Sequence, residues 1–276
     1  MLRVRPRYYR WFVDPGVEWT EANTREAYLD WEIPIEQAAL VLVDVWNWHY
    51  LKDTMERSEE ICQKLLKPLV KEARRAGLRV IHAPSSSFAA QFPQWVGHSR
   101  SAQPDGKPLR EEPLYPRWDG TWPPADFLED GNGRRKGAYA RYSRPEEPRR
   151  PELTRDRQEK LAVHPDFLPQ DGDVVVANGR ELHEYCREKG ILFLFYAGFN
   201  TNMCIMERDY GVVAMGPRGR GYACVLVRDC TTGMETYRSQ ERLEQTRAAI
   251  DRIEMLFGYT VSSAELMEAL ASHAAP

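Results

Sequence analysis

Strand-length apolar runs alternate with amphipathic, helix-length segments along nearly the whole chain. That pattern predicts an α/β protein: one doubly wound, three-layer domain with a central, mostly parallel sheet between two layers of helices. Two details favour a parallel sheet. Ala39 to Val43 and Ile191 to Ala197 are apolar without alternation, as strands buried on both faces are. Moreover, the first run, the helix after it and the strand LRVIHAP form a strand–helix–strand unit, which demands a right-handed parallel crossover.

Residues 1 to 36 read as an irregular arm with aromatic anchors (Tyr8, Tyr9, Trp11, Phe12, Trp19), packed across the domain or across a subunit interface. The strand Ala39 to Val43 ends on Asp44, a carboxylate that is costly at a buried strand end unless paired or solvated. Ser58 is placed to cap a helix in which Ile61, Leu65, Leu66 and Val70 recur at helical spacing, and Gly77 closes it. Leu78 to Pro84 is the next strand, with His82 near its end. Residues 97 to 160 carry no hydrophobic period. They read as a long Pro/Arg-rich insertion, a lid or subunit arm rather than a second domain. Regularity returns with a strand at Val174 to Val176, a helix from Glu181 to Lys189 closed by Gly190, and the strand Ile191 to Ala197. A strand from Ala223 to Val227 follows, then a helix from about Ser239 to Phe257, and a last strand and helix with Ser263 as cap.

Composition narrows the function. A net charge of -3 gives no strong attraction to nucleic acid or an anionic membrane. No apolar stretch reaches spanning length, and MLRVRPRYYRWF lacks a signal-peptide core. Five cysteines, odd in number and without a C-x-x-C pair, suit a reducing compartment. A cytoplasmic protein acting on a small molecule, with no cofactor, is the expectation.

The chemistry centres on Cys204. It follows an apolar strand, Gly198 and a polar turn, where a helix begins, and a helix N-terminus favours thiolate. A small buried hydrophobe is the alternative reading of the same cysteine. Asp44 also stands at a strand's carboxyl end, so the two side chains can converge on one crevice of a doubly wound sheet. A carboxylate beside a thiol can take its proton and return it, and backbone amides of the turn can face a developing oxyanion.

The stretches LVLVDVWN, Gly198-x-x-Thr201-x-x-Cys204 and RDYG…YACVLVRDCTTG resemble the isochorismatase-like cysteine hydrolases, which include nicotinamidases and carbamoyl-amide hydrolases. The resemblance covers residues 38 to 84 and 165 to 270 and leaves the insertion unaccounted for. It implies a six-stranded parallel sheet, a Cys–Asp–Lys triad and a cis peptide at Phe199-Asn200. It further implies Cys204 as nucleophile, Asp44 as proton shuttle, the amides of Asn200 and Cys204 as oxyanion hole, and an oligomer.

Two departures stand out. Asn178 occupies the position after Val174-Val175-Val176 where the family has lysine, and only Gly179-Arg180 remain of the loop. Asparagine can orient a carboxylate but supplies no charge; Arg180 or Lys136 of the insertion could replace the lysine. After Asp44 the chain has Trp46, Asn47, Trp48 and His49. One His near one Asp is too few ligands for a metal, so no metal is expected, and His49 reads as a pocket or packing residue. Trp46, Phe199, Thr201 and His183 complete the pocket candidates. Asp229 is expected to hold a loop through backbone hydrogen bonds. The leading function is hydrolysis of a small amide, ureido or imide compound through a thioester. The alternative, motivated by Asn178, is a relative with altered or lost chemistry that binds a small molecule or partner protein.

Overall fold

A computed structural model describes residues 1–100, 118–130, 132–145 and 151–273. The first β-strands are β1 (Leu2–Val4), β2 (Arg7–Arg10), β3 (Arg25–Tyr28), β4 (Trp31–Ile33), β5 (Ala38–Val43) and β6 (Arg79–Ala83). After them come β7 (Val174–Val175), β8 (Phe193–Phe199), β9 (Ala223–Thr232) and β10 (Tyr259–Val261). The main sheet has eight strands in the order β3-β2-β10-β9-β8-β5-β6-β7. From β10 to β7 every neighbouring pair is parallel, which is the six-stranded core expected; β2 and β3 extend it antiparallel. The arm is therefore not irregular. Its short, half-polar strands (RYYR, REAY) lack a strong apolar pattern but find partners on the sheet edge, while β1 pairs with β4 in a separate ribbon.

The chain winds outward twice from the middle, β5 to β6 to β7 on one side and β8 to β9 to β10 on the other. The order reverses between β5 and β8, so their carboxyl ends frame the switch-point crevice. Both strands bury both faces: Leu40, Leu42, Phe195 and Ala197 join one core, Val41, Val43, Leu194 and Tyr196 the other. The first core is covered by α1 (Lys52–Ile61), a π-helical turn at Cys62–Leu66, α2 (Lys67–Ala76) and a C-terminal helix. The second is covered by the helices on either side of β8 and β9. Those elements follow α3 (Pro151–Lys160) and are α4 (Gly179–Lys189), α5 (Glu244–Leu256) and α6 (Ser263–His273), the last being the C-terminal cover of the first core.

Two caps differ from expectation. The first helix begins at Lys52, so Ser58 lies buried inside it and its hydroxyl donates to the Thr54 carbonyl at 2.7 Å. At α6 the capping box is Ser262–Glu265: Ser262 Oγ accepts from the Glu265 amide, and the Ser262 amide donates to Glu265. Ser263 instead donates through its amide and hydroxyl to Asp229, both at 2.7 Å, so that carboxylate ties β9 to α6 rather than holding its own turn. None of the described helices is long and apolar enough to cross a membrane.

Candidate active site

Asp44 is the first residue past β5 and Cys204 lies four residues past Asn200, the first residue beyond β8. The register that pairs Val43 with Gly198 brings the two strand ends level. Gly198 has φ +120°, and a Cβ there would lie 2.0 Å from the Val43 carbonyl oxygen; only glycine lets the backbones approach so closely. Asp44 itself adopts φ +44°, in the sparsely populated left-handed region for non-glycine residues, and is buried. The peptide Phe199-Asn200 is cis, as the resemblance implied. Asn200 is buried and its carbonyl accepts from the amides of Met203 and Ile205, which starts the π-helical turn Thr201–Ile205 that carries Cys204.

The Cys204 thiol lies within the electrostatic reach of both the Asp44 carboxylate and the Arg208 guanidinium. Burial, and then the negative charge of Asp44, push the thiol up to about 12, against a smaller lowering by Arg208. The expected lowering by a helix terminus is overridden. The helical segment is short, so its dipole is weak, and Cys204 sits deep in it beside a carboxylate. The four other cysteines are buried and also pushed up by burial; Cys204 is the half-exposed one.

Neither residue proposed for the lysine's place meets Asp44. Arg180 is exposed and pairs with Glu184 at 3.0 Å, and Lys136 is exposed in the insertion. Asn178 is spent on α4: its Oδ1 accepts from the Glu181 amide at 2.9 Å and its amide donates to the Glu181 carboxylate. Glu181 also accepts from the Ala177 amide and Trp95 Nε1. The cation at Asp44 is Arg208, whose Nη2 lies 3.4 Å from Asp44 Oδ2 and donates to Ser85 Oγ at 2.9 Å. Ser85 in turn donates to Asp44 Oδ1 at 3.0 Å. Arg208 and Ser85 escaped the sequence reading; the only signal was Arg208's position four residues after Cys204, which puts both on one helical face.

The remaining candidates divide. Trp46 stands on Phe199 (ring centroids 5.2 Å apart) and bridges to Val163. With Asp44, Ser85, Phe88, Leu161 and Val163 it lines a cavity of about 30 Å³, a water-sized space. Phe199 is fully buried and backs that wall. His49 stacks on Trp46 and Tyr50, and its Nδ1 accepts from the Leu51 amide; burial first, then Arg57, depress its pKa, so it is a packed neutral ring. Thr201 is not a pocket residue: it is buried and its hydroxyl pairs with Thr231 at 2.7 Å. His183 is not one either. It bonds Tyr222, just before the amino end of β9, whereas the crevice lies at the carboxyl ends. His82 is buried against Asp173 at 3.0 Å, a satisfied structural histidine. Among the described residues, no three or more His, Cys, Asp or Glu side chains gather as metal ligands do.

The far end of the insertion contributes a wall. Asn47 and the 162–164 segment exchange hydrogen bonds: the Asn47 amide to the Ala162 carbonyl, the Ala162 amide to Asn47 Oδ1 at 2.8 Å, and the His164 amide to the Val45 carbonyl.

Residues 132–265 match the family model described as the isochorismatase domain. Among solved structures, a cysteine hydrolase from Pseudomonas syringae pv. phaseolicola 1448A is similar over 88% of this chain and 96% of its own, at 16% identity and a TM-score of 0.52. An isochorismatase-family hydrolase from Chromobacterium violaceum ATCC 12472 is 16% identical over 86% of this chain and 95% of its own (TM-score 0.47). N-carbamoylsarcosine amidase from Thermoplasma acidophilum is 14% identical over 82% and 96% (TM-score 0.41). A search of curated proteins gives no match. The first of these structures shares the fold, and the stretch that matches the isochorismatase domain model, residues 132–265, includes the corner that carries Cys204.

Proposed function

We propose that the protein is a cysteine-dependent hydrolase of a small amide, ureido or imide compound. The observation that carries this reading is the convergence of Cys204 and Asp44 just past the level carboxyl ends of β8 and β5, at the switch point of the sheet. The raised thiol pKa keeps Cys204 protonated at rest, beside the Asp44 carboxylate that raises it. As sulfur attacks the substrate carbonyl, that proton passes to Asp44, and the oxyanion forms near the amides of Asn200 and Cys204. The C–N bond then breaks and Asp44 gives its proton to the departing nitrogen. Water attacks the thioester with Asp44 as base, the C–S bond breaks, and the thiol is re-formed. Trp46 and Phe88 give the pocket flat apolar walls, which suit a small planar substrate.

Turnover of a panel of small amides, ureido acids and cyclic imides, with the wild type and Cys204→Ala, tests the reading. Activity in the wild type and its loss in a folded alanine variant are expected; an alanine variant as active as the wild type would sink it. Asn178 in the lysine's place, bonded to Glu181 and not to Asp44, favours a second reading, a relative that binds a ligand without turning it over. Calorimetric binding of a panel compound without hydrolysis would support that one instead. The aromatic side chains Trp11, Phe12, Trp19 and Tyr28, exposed on the arm, support a homo-oligomer, which a light-scattering mass of one 32.0 kDa chain would refute.

A further inference from the structure

We infer that Arg208 is the positive member of the site, supplying from the nucleophile's own helical turn the charge that the family draws from a lysine after the strand corresponding to β7. The inference rests on the reading of Cys204 as the reacting thiol. Three observations carry it. Arg208 donates its backbone amide to the Cys204 carbonyl at 3.3 Å, so the two side chains leave the same face one turn apart. Its guanidinium then reaches the Asp44 carboxylate and Ser85 together, and Ser85 completes a closed set by donating to the other Asp44 oxygen. Finally, the space beyond β7 is closed to a longer loop. A Cβ on Gly179 would fall 1.9 Å from the Asp209 carbonyl oxygen, so the first turn of α4 presses on the backbone immediately after Arg208. A shortened loop with Asn178 as its cap and an arginine on the facing segment form one arrangement: the loop yields the position, and Arg208 fills it from the opposite side.

A guanidinium in this place has a consequence for the thiol. It opposes the two influences that push Cys204 up, burial and Asp44, and it stays charged throughout the working pH range, since arginine does not titrate there.

Alkylation of Cys204 by iodoacetamide between pH 7 and 10, read peptide by peptide in a mass spectrometer, tests this without any substrate. Because the rate follows the thiolate fraction, Arg208→Gln should slow it about tenfold at every pH, the equivalent of one pKa unit. Arg208→Lys, which keeps the charge, should stay within roughly threefold of the wild type, and Asp44→Asn should label faster than the wild type. Labelling of the buried Cys186 and Cys224 in the same samples reports unfolding. Should the glutamine variant expose them, Arg208→Met takes its place. An uncharged, folded variant that labels as fast as the wild type overturns the proposal, and so does unfolding of both uncharged variants, which would make the guanidinium a purely structural tie. Failure of the nucleophile reading shows elsewhere, in the turnover of Cys204→Ala.

Discussion

Gly198 lies against Val43 with no room for a side chain: a Cβ would sit 2.0 Å from the Val43 carbonyl oxygen, on a backbone already at φ +120°. The two residues pair across β8 and β5, Val43 one residue before Asp44 and Gly198 two before Asn200, so this contact sets the width of the crevice. Gly198→Ala must part the strands or bend β8. We expect roughly 2–4 kcal/mol of lost stability, from left-handed strain plus overpacking, visible as a lowered melting temperature by circular dichroism. A variant that melts with the wild type would show that the strands do not need this approach.

Asp173 forms a buried ion pair with Arg74 (2.6 Å), hydrogen-bonds with His82 (3.0 Å) and accepts from the Gln170 amide. Burial works against the charge, but the hydrogen bonds from His82, Arg74 and Gln170 outweigh it and bring its pKa from 3.8 to about 2. A carboxylate with a depressed folded-state pKa stabilises above its unfolded pKa and loses that contribution as pH falls through the folded one. The expected contribution is about 2 kcal/mol at neutral pH, fading between roughly pH 4 and pH 2. Urea unfolding of wild type and Asp173→Asn should show a gap at pH 7 that narrows across that window. A gap that is constant down to pH 2 would assign the effect to packing.

Access separates the thiols even where pKa does not. Cys204 is half-exposed and the other four are buried, so iodoacetamide at pH 8 to 9 should modify Cys204 well ahead of Cys62, Cys186, Cys224 and Cys230. With the thiol near 12, the Cys204 rate should rise about tenfold per pH unit over that range. A plateau near neutral pH would contradict the raised value.

Asn47 ties the tail of the insertion to the strand-end segment through Ala162. Asn47→Ala should cost about 1 kcal/mol locally and hasten tryptic cleavage at Arg157 and Lys160, next to the released segment. Unchanged cleavage in the alanine variant would mean that Val163 and His164 hold the strap without it.

The sheet and the corner were legible because their signals are local. An apolar run of strand length can hardly be read otherwise, and Gly198-x-x-Thr201-x-x-Cys204 with Asp44 at a second strand end places both side chains by topology alone. The arm was not legible, since Arg25–Tyr28 gains its partners only once β10 exists to carry β2. Ser58 misled because a serine in mid-helix can satisfy itself on the preceding turn, as it does with Thr54. Thr201 lies beside the site and His183 at the other end of the sheet, and their polar atoms are claimed by Thr231 and Tyr222. Arg208 went unseen for the opposite reason: an arginine just past a short helical turn looks solvated until the strands around it are assembled.

The strap at Leu161–Val163 forms one side of the cavity, while the acid and thiol come from the ends of β5 and β8. What the site would select and what it would do are thus written in separate stretches of the gene product. The segment that shapes the mouth follows the insertion and hangs on the core by a few backbone hydrogen bonds near Asn47. Exchanging residues there can retune the size of molecule admitted without moving Asp44, Cys204 or Arg208, so the taste of such a protein can drift while its chemistry stands still.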